Sequence, residues 1–120
     1  MPDMQERLIA GAVIALALAS CGGGGGDAPV CENPRAVTTV AMGDFFYEPG
    51  CVESAAGAEL EIVNEGNSPH TFTVEADASA EVDLSAGQRA TLTVPELSAG
   101  TYPVTCSYHP QMEGALRVSG

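Results

Sequence analysis

Between residues 58 and 64 the chain reads Ala-Glu-Leu-Glu-Ile-Val-Asn, which sends Leu60 and Ile62 to one side of an extended strand and Glu59 and Glu61 to the other. The same period of two recurs along the rest of the chain. It pairs Phe72 with Val74, groups Ala90 with Leu92 and Val94, groups Tyr102 with Val104 and Cys106, and pairs Leu116 with Val118. Further strands are expected at 36–42 and around 45–47. Past residue 36 no stretch sustains a helical period, and Gly57, Gly66, Gly87, Gly100 and Gly114 separate the runs. Short strands joined by connections too brief for a crossover helix predict an all-β, Greek-key β-sandwich or barrel of about seven to eight strands. Pattern alone does not choose between sandwich and barrel. Residues 97–102 resemble a tyrosine corner, with Tyr102 bonding back to the preceding turn. The least regular stretch, 77–86, reads as a loop or a short helix.

A chain of 120 residues supplies one core and no second lobe to enclose a substrate. Its net charge is −12, with no lysine and only Arg7, Arg35, Arg89 and Arg117 as cations. Such a surface repels phosphate backbones and so excludes a nucleic-acid role; it fits a solubilising charge or a field that steers a basic protein partner. At the N-terminus Arg7 precedes an apolar run over 8–18, short for a bilayer span and suited to a secretory signal. Leu18-Ala19-Ser20-Cys21 resembles the bacterial lipobox, where the signal is cut before the cysteine and that cysteine receives lipid. An uncleaved membrane anchor, or a cysteine that happens to end a signal peptide, is the other reading of this segment. The lipobox reading makes 1–20 a lipoprotein signal peptide and 21–30, with its run Gly22 to Gly26, a flexible tether. Residues 31–120 are then the folded domain, exported and lipid-anchored to the outer face of a bacterial membrane. Disulfides persist outside the cytoplasm, so Cys31 and Cys51 are expected to be bonded to each other, which leaves Cys106 as the free thiol once Cys21 is lipidated.

An unpaired thiol in an oxidising compartment needs a use or a shield. Cys106 is followed at steps of three by His109 and Met112. Pro103 and Pro110 argue against reading that spacing as a helix face, so strand, loop and strand is expected. The chain's one other histidine, His70, opens a predicted strand. Two imidazoles, a thiolate and a thioether form the set associated with a trigonal copper site having a weak axial Met; zinc does not ordinarily take a thioether. A Cys–His nucleophile pair would leave His70 and Met112 unexplained. Taken singly, each of the four is as readily a core or surface residue.

The domain resembles the cupredoxin family, the small blue copper proteins that include plastocyanin and amicyanin. The resemblance rests on Phe45, Tyr47 and Pro49, on Gly57 ahead of a strand ending at Asn64, on Pro69-His70, and on Cys106-x-x-His109-x-x-Met112-x-Gly114. It implies that His70, Cys106 and His109 bind one copper ion in a plane, with Met112 weakly on the axis and Pro69 and Thr71 supporting them. The family commonly has Asn where this chain has Thr71, and Tyr108 and Gln111 differ from amicyanin's loop. The resemblance also implies a His109 edge reaching an apolar surface that includes Pro110, Met112 and Tyr108.

The expected function is a monomeric, membrane-tethered, one-electron carrier outside the cytoplasm that meets redox protein partners transiently. Extracytoplasmic copper capture or delivery without electron transfer is the alternative, and a metal-free module for protein contact is a third. Independent catalysis is not expected, because four protein donors leave a metal no open position.

Overall fold

The computed structural model describes residues 31–119. The signal segment 1–20, Cys21 and the tether 21–30 lie outside the described residues. Within them the chain forms ten strands and no helix: β1 (Arg35–Ala36), β2 (Thr39–Gly43), β3 (Phe46–Glu48), β4 (Cys51–Ala55), β5 (Glu59–Asn64), β6 (His70–Val74), β7 (Glu81–Leu84), β8 (Arg89–Thr93), β9 (Gly100–Thr105) and β10 (Glu113–Ser119).

The strands make two sheets, ordered β1-β4-β10-β9-β6-β7 and β3-β2-β5-β8. β1 and β10 both run parallel to β4, and β2 runs parallel to β5; the other pairings are antiparallel. The chain changes sheet between β1 and β2, between β3 and β4, between β4 and β5, between β5 and β6, and on either side of β8. Short connections that cross between layers give a β-sandwich, since each sheet has one apolar face to bury against the other.

The alternation reads through to the core. Val40, Met42, Leu60, Ile62, Phe72, Val74, Leu92, Val94, Val104, Leu116 and Val118 are buried in one cluster. Each fully buried aliphatic or aromatic side chain contributes about 1.5–3 kcal/mol relative to exposure. Tyr102 is half-buried, and its hydroxyl donates to the Ser98 carbonyl at 2.6 Å, closing the corner expected from residues 97–102.

Two segments differ from expectation. The stretch 77–86 is neither loop nor helix throughout: turns around residue 77 are followed by β7, which pairs along β6 from His70–Leu84 to Thr73–Glu81. Its acidic alternation hid a strand whose outer face is open to water. The strand β4 was not expected either, because in Cys-Val-Glu-Ser-Ala only the first two residues are buried. β4 is held by its parallel neighbours and by the Cys31–Cys51 disulfide at its first residue.

Candidate metal centre

The antiparallel pairing of β6 with β9 brings the donors together. The ladder ends with Thr73 opposite Thr105, and continuing its register places Thr71 opposite Ser107. His70 at the start of β6 therefore lies beside the chain that has just left β9 at Cys106. There side-chain bonds replace the ladder. The Thr71 N–H donates to Cys106 Sγ at 3.4 Å, and the Ser107 N–H donates to Thr71 Oγ1 at 2.9 Å.

The directions of the hydroxyl bonds follow from the number of hydrogens available. Thr73 has one O–H and donates it to Glu81 Oε2 at 2.8 Å, so the 2.9 Å Thr71–Thr73 contact uses the hydrogen of Thr71. The Thr71 oxygen is thereby left free to accept from Ser107. Glu81 Oε2 also accepts from the Ser107 hydroxyl at 3.1 Å, closing a ring of bonds between β6, β7 and the loop. One residue on, the Tyr108 hydroxyl donates to Asp83 Oδ2 at 2.7 Å. That bond, ahead of burial, raises the Tyr108 phenol above its usual value. Thr71 thus ties the end of β9 and the start of the loop to β6. Pro69 is exposed and leads the chain into β6.

The loop after Cys106 closes through N–H bonds from His109 to the Cys106 carbonyl at 3.3 Å and from Met112 to the His109 carbonyl at 2.9 Å. Gly114 starts the return. A Cβ there would come within 2.9 Å of Tyr47 Cδ2 and 3.0 Å of the Gly50 carbonyl, so only glycine fits under that ring. Tyr47 packs edge-on against Phe72 and donates to the Thr71 carbonyl at 2.7 Å. Burial, and then the nearby Cys106, raises its phenol well above the ordinary range.

His70 Nδ1 lies 4.0 Å and His109 Nδ1 3.7 Å from Cys106 Sγ. All three donor atoms fall within 4.8 Å of one another. An ion with bonds of about 2.3 Å to sulfur and 2.0 Å to nitrogen, at trigonal angles, separates its S and N donors by about 3.7 Å. The observed spacings fit an ion held between them. His70 is fully buried and Cys106 is 3% exposed, whereas His109 is only half-buried. Met112 is fully buried, so it is part of the interior and not of the apolar surface around His109. Phe45 and Tyr108, each about half exposed, flank that ring instead, at centroid distances of 4.9 and 6.5 Å.

Sequence reasoning missed Asp44. This residue and Phe45 form the two-residue turn between β2 and β3, and Asp44 Oδ1 lies 3.0 Å from His70 Nε2. The bond to His70, followed by that from the Asn67 N–H, holds the Asp44 carboxyl below its usual range. Phe45 sits at φ 76°, the left-handed region that glycine or asparagine ordinarily takes, with its ring edge-on to both imidazoles. No period or spacing marks a turn residue of this kind. The signal available was Asp-Phe-Phe at a turn, followed much later by Pro-His.

The approach to His70 is shaped by buried Asn64. Its Nδ2 donates to the Ser68 and Leu84 carbonyls, each at 2.9 Å, and its Oδ1 accepts from the Gly66 N–H at 2.9 Å. His70, Cys106 and His109, with Met112 on the same short loop, are arranged as a copper site: soft sulfur suits Cu(I), and imidazole also accepts Cu(II).

Comparison with known proteins agrees with this fold. The family model of the cupredoxin-like domain matches residues 8–118. A novel purple cupredoxin from Nitrosopumilus maritimus superposes with a TM-score of 0.55 at 23% identity, covering 69% of this chain and all of that one. An oxidised amicyanin mutant gives 0.55 at 24%, covering 68% and 80% of the two chains. A copper-containing nitrite reductase from Thermus scotoductus SA-01 gives 0.56 at 27%, covering 77% of this chain but only 25% of that enzyme. No curated protein sequence matches significantly.

Proposed function

The chain belongs to the cupredoxin-like domain family, and from that premise we propose that it is a one-electron carrier rather than an enzyme, with His70, Cys106 and His109 as the copper ligands and Met112 as a weak fourth. The observation that carries this reading is the convergence of one donor atom each from His70, Cys106 and His109 within 4.8 Å. Bound copper supplies the redox step by cycling between Cu(I) and Cu(II). The protein's part is to keep the donors still. Buried His70 is fixed by Asp44, the thiolate accepts the Thr71 N–H, and the loop is tied to β6 and β7 through Thr71, Glu81 and Asp83. Donors held this way have little room to rearrange between oxidation states, which favours electron transfer over metal release. His109 is the one half-exposed imidazole, and it serves as the edge through which electrons pass to transient protein partners.

Voltammetry of the copper-loaded protein tests this reading. A carrier gives a reversible one-electron wave and retains its copper against a Cu(I) chelator. Rapid transfer of Cu(I) to the chelator with no reversible wave favours metal delivery instead.

The carrier works outside the cytoplasm as a monomer, held to a membrane by lipid on Cys21. This part of the proposal is supported by the apolar run over 8–18 and by Leu18-Ala19-Ser20-Cys21. In a bacterial host, Cys21→Ser is expected to move the protein out of the membrane fraction. An unchanged distribution would contradict the anchor.

A further inference from the structure

We infer that Asp44 is an anionic partner of His70 that biases the bound metal toward Cu(II), an inference that rests on the copper reading above. The two nitrogens of His70 have separate duties. Nδ1 lies on the Cys106 side, and Nε2 meets Asp44 Oδ1 at 3.0 Å. With Nε2 donating its hydrogen to a carboxylate, Nδ1 is left as the lone-pair donor. An acceptor with a full negative charge draws that proton more strongly than a neutral one, so Nδ1 becomes a better donor. The greater gain goes to the oxidised ion, which carries more charge.

Three further observations show that this contact is built in. Asp44 is held from the far side by the Asn67 N–H, at 2.9 and 3.2 Å to its two oxygens, and by Asn67 Nδ2 at 3.4 Å. Gly66 leaves the space for it, because a Cβ there would collide with Asp44 Oδ1 and come within 3.0 Å of His70 Nε2. Among the described residues no arginine pairs with the carboxylate: Arg35 and Arg89 pair with Glu48 and Glu61, and Arg117 bonds Thr101 Oγ1. Asp44 thus acts through His70 as a positioning residue that also tunes it.

The test uses the full chain and its Asp44→Asn, Asp44→Ala and Gly66→Ala variants, with Cu(I) and Cu(II) affinities and the reduction potential measured on each. The amide of Asp44→Asn can still accept from Nε2–H, so that variant removes charge while keeping the bond. In Asp44→Asn the ratio of Cu(II) to Cu(I) affinity is expected to fall about tenfold, equivalent to a rise of about 59 mV for one electron. Gly66→Ala, which displaces the carboxylate, should shift the potential in the same direction. An unchanged potential in Asp44→Asn alongside a shifted one in Asp44→Ala would overturn the inference, leaving Asp44 a role in ring orientation only. Long-range nitrogen–proton spectra of the metal-free protein give an independent readout, with the proton expected on His70 Nε2 in wild type and no longer confined there in Asp44→Ala. A wild-type chain that binds no copper would overturn the copper reading along with the inference. Normal copper binding with an unmoved Asp44→Asn potential would sink the inference alone.

Discussion

Thr71 stands where the resemblance led one to expect an asparagine, and its hydroxyl takes over the brace by accepting from the Ser107 N–H. Removing the hydroxyl without changing shape deletes that bond together with the one to Thr73. Thr71→Val leaves a half-buried N–H without its acceptor, which costs about 1–3 kcal/mol. Denaturant unfolding should show that loss, and hydrogen exchange at Ser107 should quicken beyond it; Thr71→Ser should restore both. Unaltered exchange at Ser107 would mean that the loop is held by something else. The four residues expected to bind copper were picked out in the sequence because each belongs to a rare residue type and three of them share one spacing; His70, Cys106 and His109 converge in the fold. Asp44 and Asn64 were not legible, because a polar residue at a turn or strand end reveals its partner only when the fold brings that partner across.

At the scale of the element, β7 is one of two strands that sequence reasoning left undefined, and it carries the ligand loop's outer supports. Its alternation puts Glu81 and Asp83 on the open face, where they accept from Ser107 and Tyr108. Strands with two buried flanks, such as β5 and β6, announced themselves by apolar alternation. A half-exposed edge strand reads as a polar loop until its neighbour is known. The Tyr108–Asp83 bond gives a pH signature. It favours the neutral phenol, so its contribution to stability is complete below about pH 10 and is lost as pH rises through the elevated folded value. Absorbance titration should find Tyr108 ionising above the ordinary tyrosine range in wild type and near it in Asp83→Asn. Identical titrations would show that the bond does not form in solution.

For the molecule as a whole, the fold class was readable because period-two alternation and short connections leave a chain of this length few alternatives. The pairing order was not, since register and sheet changes depend on contacts distant in sequence. The Cys31–Cys51 bond closes a 20-residue span and ties the start of the domain to β4, which flanks β10 and so supports the strand that the ligand loop enters. By the loop-entropy estimate, replacing both cysteines with serine costs roughly 3 kcal/mol. Because neither cysteine is among the donors, copper binding should survive at temperatures where the variant remains folded. Calorimetry on the variant, together with a copper titration below its midpoint, checks both parts.

On the proposed reading a thiolate at Cys106 and imidazoles at His70 and His109 enclose one copper ion. Titrating Cu(II) into the protein and into Cys106→Ser while recording visible absorption tests for that enclosure. An intense thiolate-to-copper band that saturates at one equivalent is expected in wild type and absent from the variant. A wild-type protein without the band, or a band that survives the substitution, would contradict it.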